Sequence, residues 1–275
     1  MITKQQVLTY FGVSRQAHHQ QRHRWRKRQA EEALIVPLVQ TIRQQHPRMG
    51  GKKVWRKLQL TLNEKGIQVG RDRFFAILKA NDLLVPVKRR KTRTTRSGLY
   101  RCPNRLPETS INHPLTVWVA DITYVTLETG FAYLALLTDA FSRFIVGFDL
   151  SRSLAVEGAE RSLKQAIKQS PQPSLVGLIH HSDHGVQYTA HTYRHLLAKH
   201  QMLASMGEVG NCYENALAER VNGILKLEYG LDRLFVNTAQ ATLAVTQAVT
   251  LYNYDRPHLS LNYATPADVH WKAVT

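Results

Sequence analysis

A nearly unbroken apolar run occupies residues 117–125 and reads Val-Trp-Val-Ala-Asp-Ile-Thr-Tyr-Val. Such a run is typical of a central strand that other elements cover on both faces. Its one acid, Asp121, stands in the middle, where a carboxylate is costly unless a cation or hydrogen bonds replace its lost water. The run therefore predicts a buried sheet that contains a functional acid.

The residues after this run predict the rest of a mixed sheet. A turn at Gly130 leads into a strand at 131–138, and another short turn leads into a strand at 144–150. Three strands joined in this way form an antiparallel meander. A helix at 155–169 follows, because its apolar residues recur at helical spacing. We therefore expect an α/β fold with a mixed five-stranded sheet and flanking helices.

Two more acids occupy positions that suit a functional site. An apolar strand predicted at 175–179 runs into His180-His181-Ser182-Asp183-His184-Gly185, and the carboxyl ends of strands are where α/β sheets keep their chemistry. A helix predicted at 214–229 has its apolar residues on one side. The opposite side is polar. At about 100° per residue, four polar residues fall there within an arc of about 60°: Asn215, Glu219, Asn222 and Lys226. Taken alone, that polar face would be ordinary solvated surface.

The three acids Asp121, Asp183 and Glu219 are predicted to converge. Between the first two lie 61 residues, and between the last two lie 35. Oxygen ligands without His or Cys suit hard divalent cations such as Mg²⁺. Two such ions, about 3.5–4 Å apart, favour in-line phosphoryl displacement by activating the attacking oxygen and stabilising the leaving one. We expect a magnesium site with two ions when DNA is bound, in which Mn²⁺ can substitute.

Four motifs carry a resemblance to a known family. The acid-bearing half resembles the DDE core of retroviral integrases. The chain, over about residues 30 to 270, resembles the second-frame (OrfB) transposases of bacterial insertion sequences, in the family of insertion sequence three. The motifs are Trp118-Val119-Ala120-Asp121-Ile122-Thr123-Tyr124, His181-Ser182-Asp183-His184-Gly185-Val186-Gln187-Tyr188, Gly210-Asn211-Cys212-Tyr213-Glu214-Asn215-Ala216-Leu217-Ala218-Glu219 with Leu225-Lys226, and Tyr252-Asn253-Tyr254-Asp255-Arg256-Pro257-His258 with Thr265-Pro266.

The resemblance implies a ribonuclease H-like core in which Asp121, Asp183 and Glu219 are catalytic metal ligands and Lys226 contacts the element's terminal DNA. It implies a DNA transposase that binds terminal inverted repeats, cleaves a strand and transfers the 3′ hydroxyl. The implied partners are double-stranded DNA at the element ends and target, further copies of the chain on paired ends, and the product of any upstream reading frame. The chain departs from the family at His184, where Arg is common.

A second departure is Glu208-Val209, where the family commonly has basic residues. Both departures bear on how the loop before the catalytic helix grips DNA, and neither touches the three acids. We therefore expect catalysis to be retained.

Positive charge is concentrated at the other end of the chain. The 275 residues include 37 Lys and Arg and 20 Asp and Glu, for a net charge of +17. Residues 1–107 carry 25 of these basic and 5 of these acidic residues. A basic region joined to a mildly acidic one indicates a nucleic-acid-binding module beside a separate domain. We predict a helical DNA-binding region at 1–85, a basic linker at 86–110 and a catalytic core with a C-terminal tail at 111–275.

Two stretches of the basic region have the pattern of helix-turn-helix units. In the first, Ser14 caps a helix that follows a turn at Gly12. In the second, a helix at 33–45 precedes helices at 52–64 and 71–80. Such pairs place basic side chains in DNA grooves, although they are also ordinary packing units. With Lys226 and Asn222, the predicted DNA contacts are Arg22, Arg26, Lys52, Lys53, Arg71, Arg73, Arg89 and Arg90.

Alternatives stay open on the sequence alone. A structure-specific nuclease of this fold would hydrolyse DNA without joining ends, and a DNA-binding regulator would carry an idle core. Rival acids are better explained as turn caps or as partners of Arg and Lys; they are Asp139, Asp149, Glu157 and Glu160. Four further residues could either support the site or serve packing: His180, His181, Arg256 and His258. Glu228 is expected to be a surface charge.

Composition excludes several classes of protein. No run approaches the ~18 apolar residues of a membrane-spanning helix, and the first residues lack the layout of a secretion signal. Cys102 and Cys212 are the only cysteines, too few for a disulfide-framed fold. We expect a bacterial cytoplasmic protein, associated with the nucleoid.

Overall fold

The computed structural model describes residues 3–86, 102–170, 175–207 and 216–272. The chain divides into two compact units, of which the first is Met1–Gln45 with Met49–Pro86 and the second is His46–Arg48 with Val87–Thr275. Most of the predicted linker, with Arg89 and Arg90, lies outside the described residues. Among those that are described, every helix is too short or too polar to cross a lipid bilayer.

Helices form the first unit: α1 (Lys4–Tyr10), α2 (Arg15–Gln45), α3 (Gly51–Glu64) and α4 (Arg71–Ala80). The helices predicted at 52–64 and 71–80 are confirmed. Ser14 caps α2 as predicted, because its hydroxyl accepts a hydrogen bond from Ala17 N at 3.0 Å. The later part of α2 packs with α3 and α4 around side chains that are fully enclosed: Ile35, Val39, Met49, Val54, Phe74 and Leu78.

The helix predicted at 33–45 does not begin there. It is the C-terminal half of α2, which continues without a break from the Ser14 cap. Neither Gly nor Pro occurs between residues 15 and 36, so nothing ends the helix. Pro37 lies inside it, where its missing N–H removes one backbone hydrogen bond. The two predicted helix-turn-helix units therefore share one long helix.

A mixed sheet organises the second unit, with strands β1 (Val117–Leu127), β2 (Gly130–Asp139), β3 (Ile145–Ser151), β4 (Ile179–Ser182), β5 (Leu203–Met206) and β6 (Leu234–Phe235). Five strands follow the order β3-β2-β1-β4-β5. The first three form the antiparallel meander, and β1, β4 and β5 are parallel neighbours. The predicted five-stranded mixed sheet is confirmed. The two-residue β6 adds a sixth strand beside the far end of β1, and it is too short to leave a sequence pattern.

Helices cover both faces of this sheet. One buried cluster packs α5 (Val156–Gln169), α6 (Val186–Thr189), α7 (His191–Lys199) and α10 (Pro266–Lys272) on the first face. A second cluster packs α8 (Ala216–Glu228) and α9 (Thr238–Tyr254) on the other. The architecture is a ribonuclease H-like α/β fold, preceded in the chain by an all-helical region.

One sequence prediction in this unit needs correction, and another extends beyond the described residues. The apolar run at 175–179 is mainly a turn with Gly177 at φ 80°, and β4 begins only at Ile179. Leu175 and Leu178 are buried, so their hydrophobicity reflects packing rather than a strand. The sequence also predicts a helix at 189–200, which α7 confirms; the short helix α6 precedes it and ends at Thr189. The predicted start of the next helix, Glu214, lies outside the described residues.

Candidate active site

Asp121 lies on the part of β1 that has a strand on one side only. On the side away from β2, β4 pairs with β1 at residues 117–119, and β6 pairs with it at 126–127. The stretch between these pairings, which includes Asp121, has no strand partner at that edge among the described residues. The gap leaves room for other groups to approach the carboxylate, which is half-buried.

Asp183 follows β4 directly, at the carboxyl end of the strand parallel to β1. Its Oδ1 accepts a hydrogen bond from Gly185 N at 2.9 Å. A Cβ at position 185 would lie 2.9 Å from the same oxygen, which is closer than real Cβ contacts allow. Gly185 is therefore needed for the carboxylate of Asp183 to hold this position.

Glu219 lies in the first turn of α8, and its side chain is exposed. One turn further along, Asn222 is only 7% exposed. Its Nδ2 donates a hydrogen bond to Asp121 Oδ2 at 2.5 Å. The polar face predicted for this helix is thus turned toward Asp121. Asn222, which we expected to contact DNA, is bound to the acid on β1.

The electrostatics of Asp121 link the three acids. The pKa of its carboxyl group is raised to about 7, mainly by burial and next by the nearby charge of Asp183. Glu219 adds a smaller effect in the same direction, while hydrogen bonds from Ile122 N and Asn222 lower the pKa. The three acids therefore lie within electrostatic reach of one another, and their ionised forms repel. A bound cation would relieve that repulsion.

Three buried polar atoms in this region have no hydrogen-bond partner among the described residues. They are Asn222 Oδ1, Tyr188 Oη and His184 Nδ1. Burial raises the pKa of the Tyr188 hydroxyl, and the charges of Tyr193, Asp121 and Asp183 raise it further, so that hydroxyl lies close to the acids. Unpaired buried oxygen atoms beside carboxylates suit a hydrated, oxygen-seeking cation such as Mg²⁺.

The described side chains do not form a complete set of metal ligands. Among the described residues, no group of three His, Cys, Asp or Glu side chains stands close enough together to hold a metal ion. The chemistry of the donors fits a divalent cation, whereas their spacing does not enclose one. The assignment of Asp121, Asp183 and Glu219 as metal ligands stays a prediction.

Lys226 lies two turns after Glu219 on α8. Its Nζ is 5.4 Å from the centroid of the Tyr124 ring, a cation–π distance. Sequence reasoning did not single out Tyr124 or Tyr188, although both are in the quoted motifs. An aromatic residue in a strand, like Tyr124, or in a short helix, like Tyr188, has the pattern of ordinary packing, so no sequence signal separates the two from the core.

The predicted DNA contacts of the first unit differ in their surroundings. Arg22 and Arg26 are exposed on α2, and Lys52 is exposed on α3 beside the half-buried Lys53. Arg71 pairs with its neighbour Asp72 at 2.8 Å. Arg73 pairs with Glu31 at 2.6 Å and so links α4 to α2. A structural role thus competes with DNA contact at Arg73.

The rival acids have local partners. Asp139 caps the β2–β3 turn, accepting hydrogen bonds from Phe141 N at 3.1 Å and Ser142 N at 2.8 Å. Glu160 pairs with Lys164 at 3.5 Å, as the helical spacing predicts. Asp149 pairs with Arg161 of α5 at 2.8 Å.

The residues left open between site support and packing serve packing where the structure describes their contacts. His180 Nε2 is 2.8 Å from Tyr193 Oη, and burial lowers the pKa of His180 to about 3. His181 Nδ1 is 2.9 Å from Ser205 Oγ. Arg256 is 2% exposed and binds both carboxylate oxygens of Glu228 at 2.8 Å. The expectation that Glu228 is a surface charge is therefore wrong.

Comparison with known proteins agrees with this fold. The sequence profile of the integrase core domain matches residues 111–212, and a second profile of that description matches residues 200–266. The chain is 35% identical over 263 residues to the uncharacterized 31 kDa protein of insertion element IS600 from Shigella sonnei, covering 94% of each. It is 32% identical to the transposase for insertion sequence element IS629 from Shigella sonnei, covering 94% of this chain and 86% of that protein.

Two solved structures are similar to the chain. The HTLV-2 integrase catalytic core domain in complex with magnesium has 20% identity and a TM-score of 0.45, covering 57% of this chain and 97% of that one. The simian T-cell lymphotropic virus intasome has 21% identity and a TM-score of 0.49, covering 77% and 70%.

The fold and the two matching profiles identify the second unit as an integrase core domain. The identity to the relatives over nearly the whole chain is decisive for the family. The chain belongs to the transposases of bacterial insertion sequences, and its general activity is DNA transposition.

Proposed function

We propose that the chain binds the terminal inverted repeats of its insertion sequence and catalyses strand cleavage and strand transfer at Asp121, Asp183 and Glu219. One observation carries the proposal: Asn222 of α8, the helix that bears Glu219, binds Asp121 on β1, and Asp183 follows the neighbouring parallel strand β4. The charges of Asp183 and Glu219 accordingly contribute to raising the pKa of Asp121 to about 7. Structural ion pairs lower the pKa of an acid, whereas clustered acids at functional sites raise it. The reaction would take place on DNA of the bacterial nucleoid.

Two balanced phosphoryl transfers make up the proposed reaction. Water first attacks a phosphodiester at the element's end, a new P–O bond forms, and the element's 3′ oxygen leaves with a proton as a hydroxyl. That hydroxyl then attacks a target phosphodiester and displaces the target's 3′ oxygen. Because DNA hydroxyls are the leaving groups in both steps, no covalent link between protein and DNA is needed.

The three acids would hold the cation, and the neighbouring residues would position them. A divalent ion supplies positive charge that activates the attacking oxygen and stabilises the leaving one. Asn222 holds Asp121 by its side-chain amide, and Gly185 N holds Asp183. Tyr188 is within electrostatic reach of Asp121 and Asp183 and is 3% exposed, so its ring would exclude bulk water beside these acids.

DNA binding would use the basic residues outside the core. Arg22, Arg26, Lys52 and Lys53 are proposed to bind phosphates or base edges of the terminal repeats, and Arg71 to add a further contact. The basic linker at 86–110, with Arg89 and Arg90, is proposed to follow the DNA backbone. Two element ends must be joined, so the active species is proposed to be a multimer of this chain, with the product of an upstream reading frame as a further partner.

Strand transfer by charge-neutral variants tests this proposal. Asp121→Asn and Glu219→Gln keep the size of each side chain and remove its charge, so joining of labelled element ends in Mg²⁺ or Mn²⁺ should fall at least about a thousandfold, since several kcal/mol of charge stabilisation is lost. Glu160→Gln is the matched control, because Glu160 pairs with Lys164 on the surface of α5.

The products distinguish the proposed function from its alternatives. Joined products identify a transposase, and hydrolysis without joining identifies a nuclease. Undiminished metal-dependent joining by either acid variant would rule out the assignment of the acids. An inactive wild-type chain that still binds DNA would indicate a regulator with an idle core.

A further inference from the structure

Three aromatic side chains lie on one face of the β1–β2 hairpin. Tyr124 and Tyr133 are direct cross-strand partners, and Phe131 is nearer to the turn. The ring centroid of Tyr124 is 5.8 Å from that of Phe131 and 6.2 Å from that of Tyr133. We call these three rings the hairpin aromatic face.

The hairpin aromatic face lies on the same side of the sheet as residues that are buried further along the two strands. Side chains two residues apart on a strand point the same way, so Tyr124 shares its face with Ala120, and Tyr133 shares its face with Leu137. Ala120 and Leu137 are enclosed in the cluster that contains α5. Phe131, by contrast, is 43% exposed, and the two tyrosines are half-buried. Adjoining large rings at a surface are informative, because isolated exposed apolar residues are ordinary and grouped ones mark binding sites.

A positive charge lies at the edge of the hairpin aromatic face. The ammonium group of Lys226 is 5.4 Å from the Tyr124 centroid, and Lys226 is on the helix that carries Glu219. Tyr124 follows Asp121 by three residues, which is about 10 Å of strand. A DNA strand advances about 3.4 Å per nucleotide in a duplex. Because side chains alternate between the two faces of a strand, the Tyr124 ring and the Asp121 carboxylate point to opposite faces of the sheet. Helix α8 approaches both, since Asn222 binds Asp121 and Lys226 lies near the Tyr124 ring. A DNA strand that follows α8 would need at least about three nucleotides to reach from the acidic site to the rings.

We propose that the hairpin aromatic face stacks unpaired nucleobases of the DNA strand whose scissile phosphate lies at the acidic site, while Lys226 binds a phosphate of the same strand. The proposal rests on the proposed function and adds a binding site for single-stranded DNA to it. Rings on a sheet stack bases because every base has a flat π-face, and a cation beside them neutralises the backbone. An apolar protein partner would bury the rings but would have no use for the ammonium group.

A comparison of two DNA tails tests stacking separately from charge. One probe is a fluorescein-labelled duplex of about 20 base pairs with a 3′ tail of about five deoxyadenosines, and the other has the same tail without bases. Both tails carry the same phosphates. The full wild-type chain should bind the tail with bases at least about fivefold more tightly, since stacking on an aromatic ring stabilises each base.

Variants of the full chain show which side chains cause the preference for the tail with bases. Tyr124→Leu and Phe131→Leu should each reduce the preference for bases, whereas Tyr124→Phe keeps the ring and should retain it. Lys226→Gln should weaken binding of both tails equally. Tyr254→Leu, at a tyrosine that is 56% exposed on α9, is the matched control and should leave the preference unchanged. Phe131→Leu also covers the case in which Tyr124→Leu does not fold, because Phe131 is the more exposed side chain.

Two results would overturn the proposal: equal affinity of the wild-type chain for both tails, or a preference that survives both leucine variants. Strand transfer measured on the same preparations separates this outcome from failure of the proposed function. A wild-type chain that joins ends but shows no preference for bases refutes stacking alone. A chain with the preference but without joining refutes the transposase chemistry alone.

Discussion

Asp121 combines two properties that oppose each other in the metal-free protein. Its place in an apolar strand positions the carboxylate firmly, and the same burial makes its ionised form unfavourable. The pKa of about 7 lies far above the value near 3.8 expected in the unfolded chain. The folded protein thus carries this acid at a cost in stability, which is typical of functional sites.

The stability of the metal-free protein should therefore depend on pH in a defined direction. Between about pH 4 and about pH 7 the folded protein binds more protons than the unfolded chain, so the free energy of unfolding falls as pH rises through this window. The contribution is on the order of a few kcal/mol. Asp121→Asn should remove this fall and raise the melting temperature at about pH 8.

Thermal unfolding of both proteins in a chelator, across that pH range, measures the effect. The difference between wild type and variant isolates Asp121 from other titrating groups. Adding Mg²⁺ should stabilise the wild type more at high pH than at low pH. Parallel pH curves for the two proteins would contradict the account of Asp121.

Asn222 should act on the reaction through Asp121. Asn222→Ala removes the hydrogen bond to Asp121 Oδ2, and a hydrogen bond to a charged group contributes about 1.5–3 kcal/mol. The rate of strand transfer should fall about tenfold or more, and half-maximal activity should require more Mg²⁺. The matched control is Asn253→Ala, a buried amide that bonds the backbone of Ile145; it should lose stability without changing the Mg²⁺ requirement. An unchanged Mg²⁺ requirement in Asn222→Ala would exclude a positioning role.

The sequence predicts a helix or strand correctly where its hydrophobic pattern is compatible with one type of secondary structure only. The meander, α5, α3 and α4 follow from period-two or helical hydrophobicity. The apolar run at 175–179 predicts a strand, but most of it is a turn in which Leu175 and Leu178 are buried. Helix α9 lies within the predicted C-terminal tail. Its buried residues nevertheless recur at helical spacing: Ala241, Val245, Ala248 and Tyr252.

The sequence predicts the three acids of the candidate site but not the residues that contact them. Acids are rare in buried strands, so Asp121 stands out by itself. By contrast, the amide of Asn222 and the rings near Lys226 have many ordinary roles, and only tertiary contacts identify the particular one. Hydrogen bonds between residues 101 positions apart, as between Asn222 and Asp121, leave no local pattern.

Helix α8 should depend on an ion pair at its C-terminal end, which we call the clasp. Arg256 is buried and binds Glu228 through two hydrogen bonds of 2.8 Å. Arg256→Met should cost about 3–5 kcal/mol of unfolding free energy, because the charge of Glu228 loses its partner. Adding Glu228→Gln should restore part of that loss. Urea unfolding of the single and double variants measures both, and a double variant no more stable than Arg256→Met would contradict the clasp.

The exposed first half of α2 should provide charge for DNA binding. Residues 15–28 contain six Lys and Arg and no Asp or Glu, and residues 19–30 are exposed. Replacing Arg22 and Arg26 by Gln should reduce the slope of log affinity against log salt by about two. Anisotropy of a labelled duplex at several salt concentrations measures that slope. Lys164→Gln on α5 is the control, and an equal reduction by it would mean that the effect is not specific to α2.

For the whole molecule, the separation of charge has a functional consequence. Nearly all excess positive charge lies in residues 1–107, while the residues from 108 onward carry 12 basic and 15 acidic side chains. DNA binding and catalysis can therefore be impaired independently. A catalytically inactive chain with an intact basic region should still occupy element ends.

Mixtures of active and inactive chains should reveal whether two copies act together. Asp121→Asn leaves the basic region unchanged, so it should join wild-type chains on paired ends. If each copy processes one end of a two-fold assembly, an equal mixture at constant total protein should give about one quarter of the wild-type rate of paired-end joining. Independent monomers would give about one half. The measurement is joining of two labelled ends across a series of mixing ratios. A linear dependence on the active fraction would contradict a multimer that shares the work between ends.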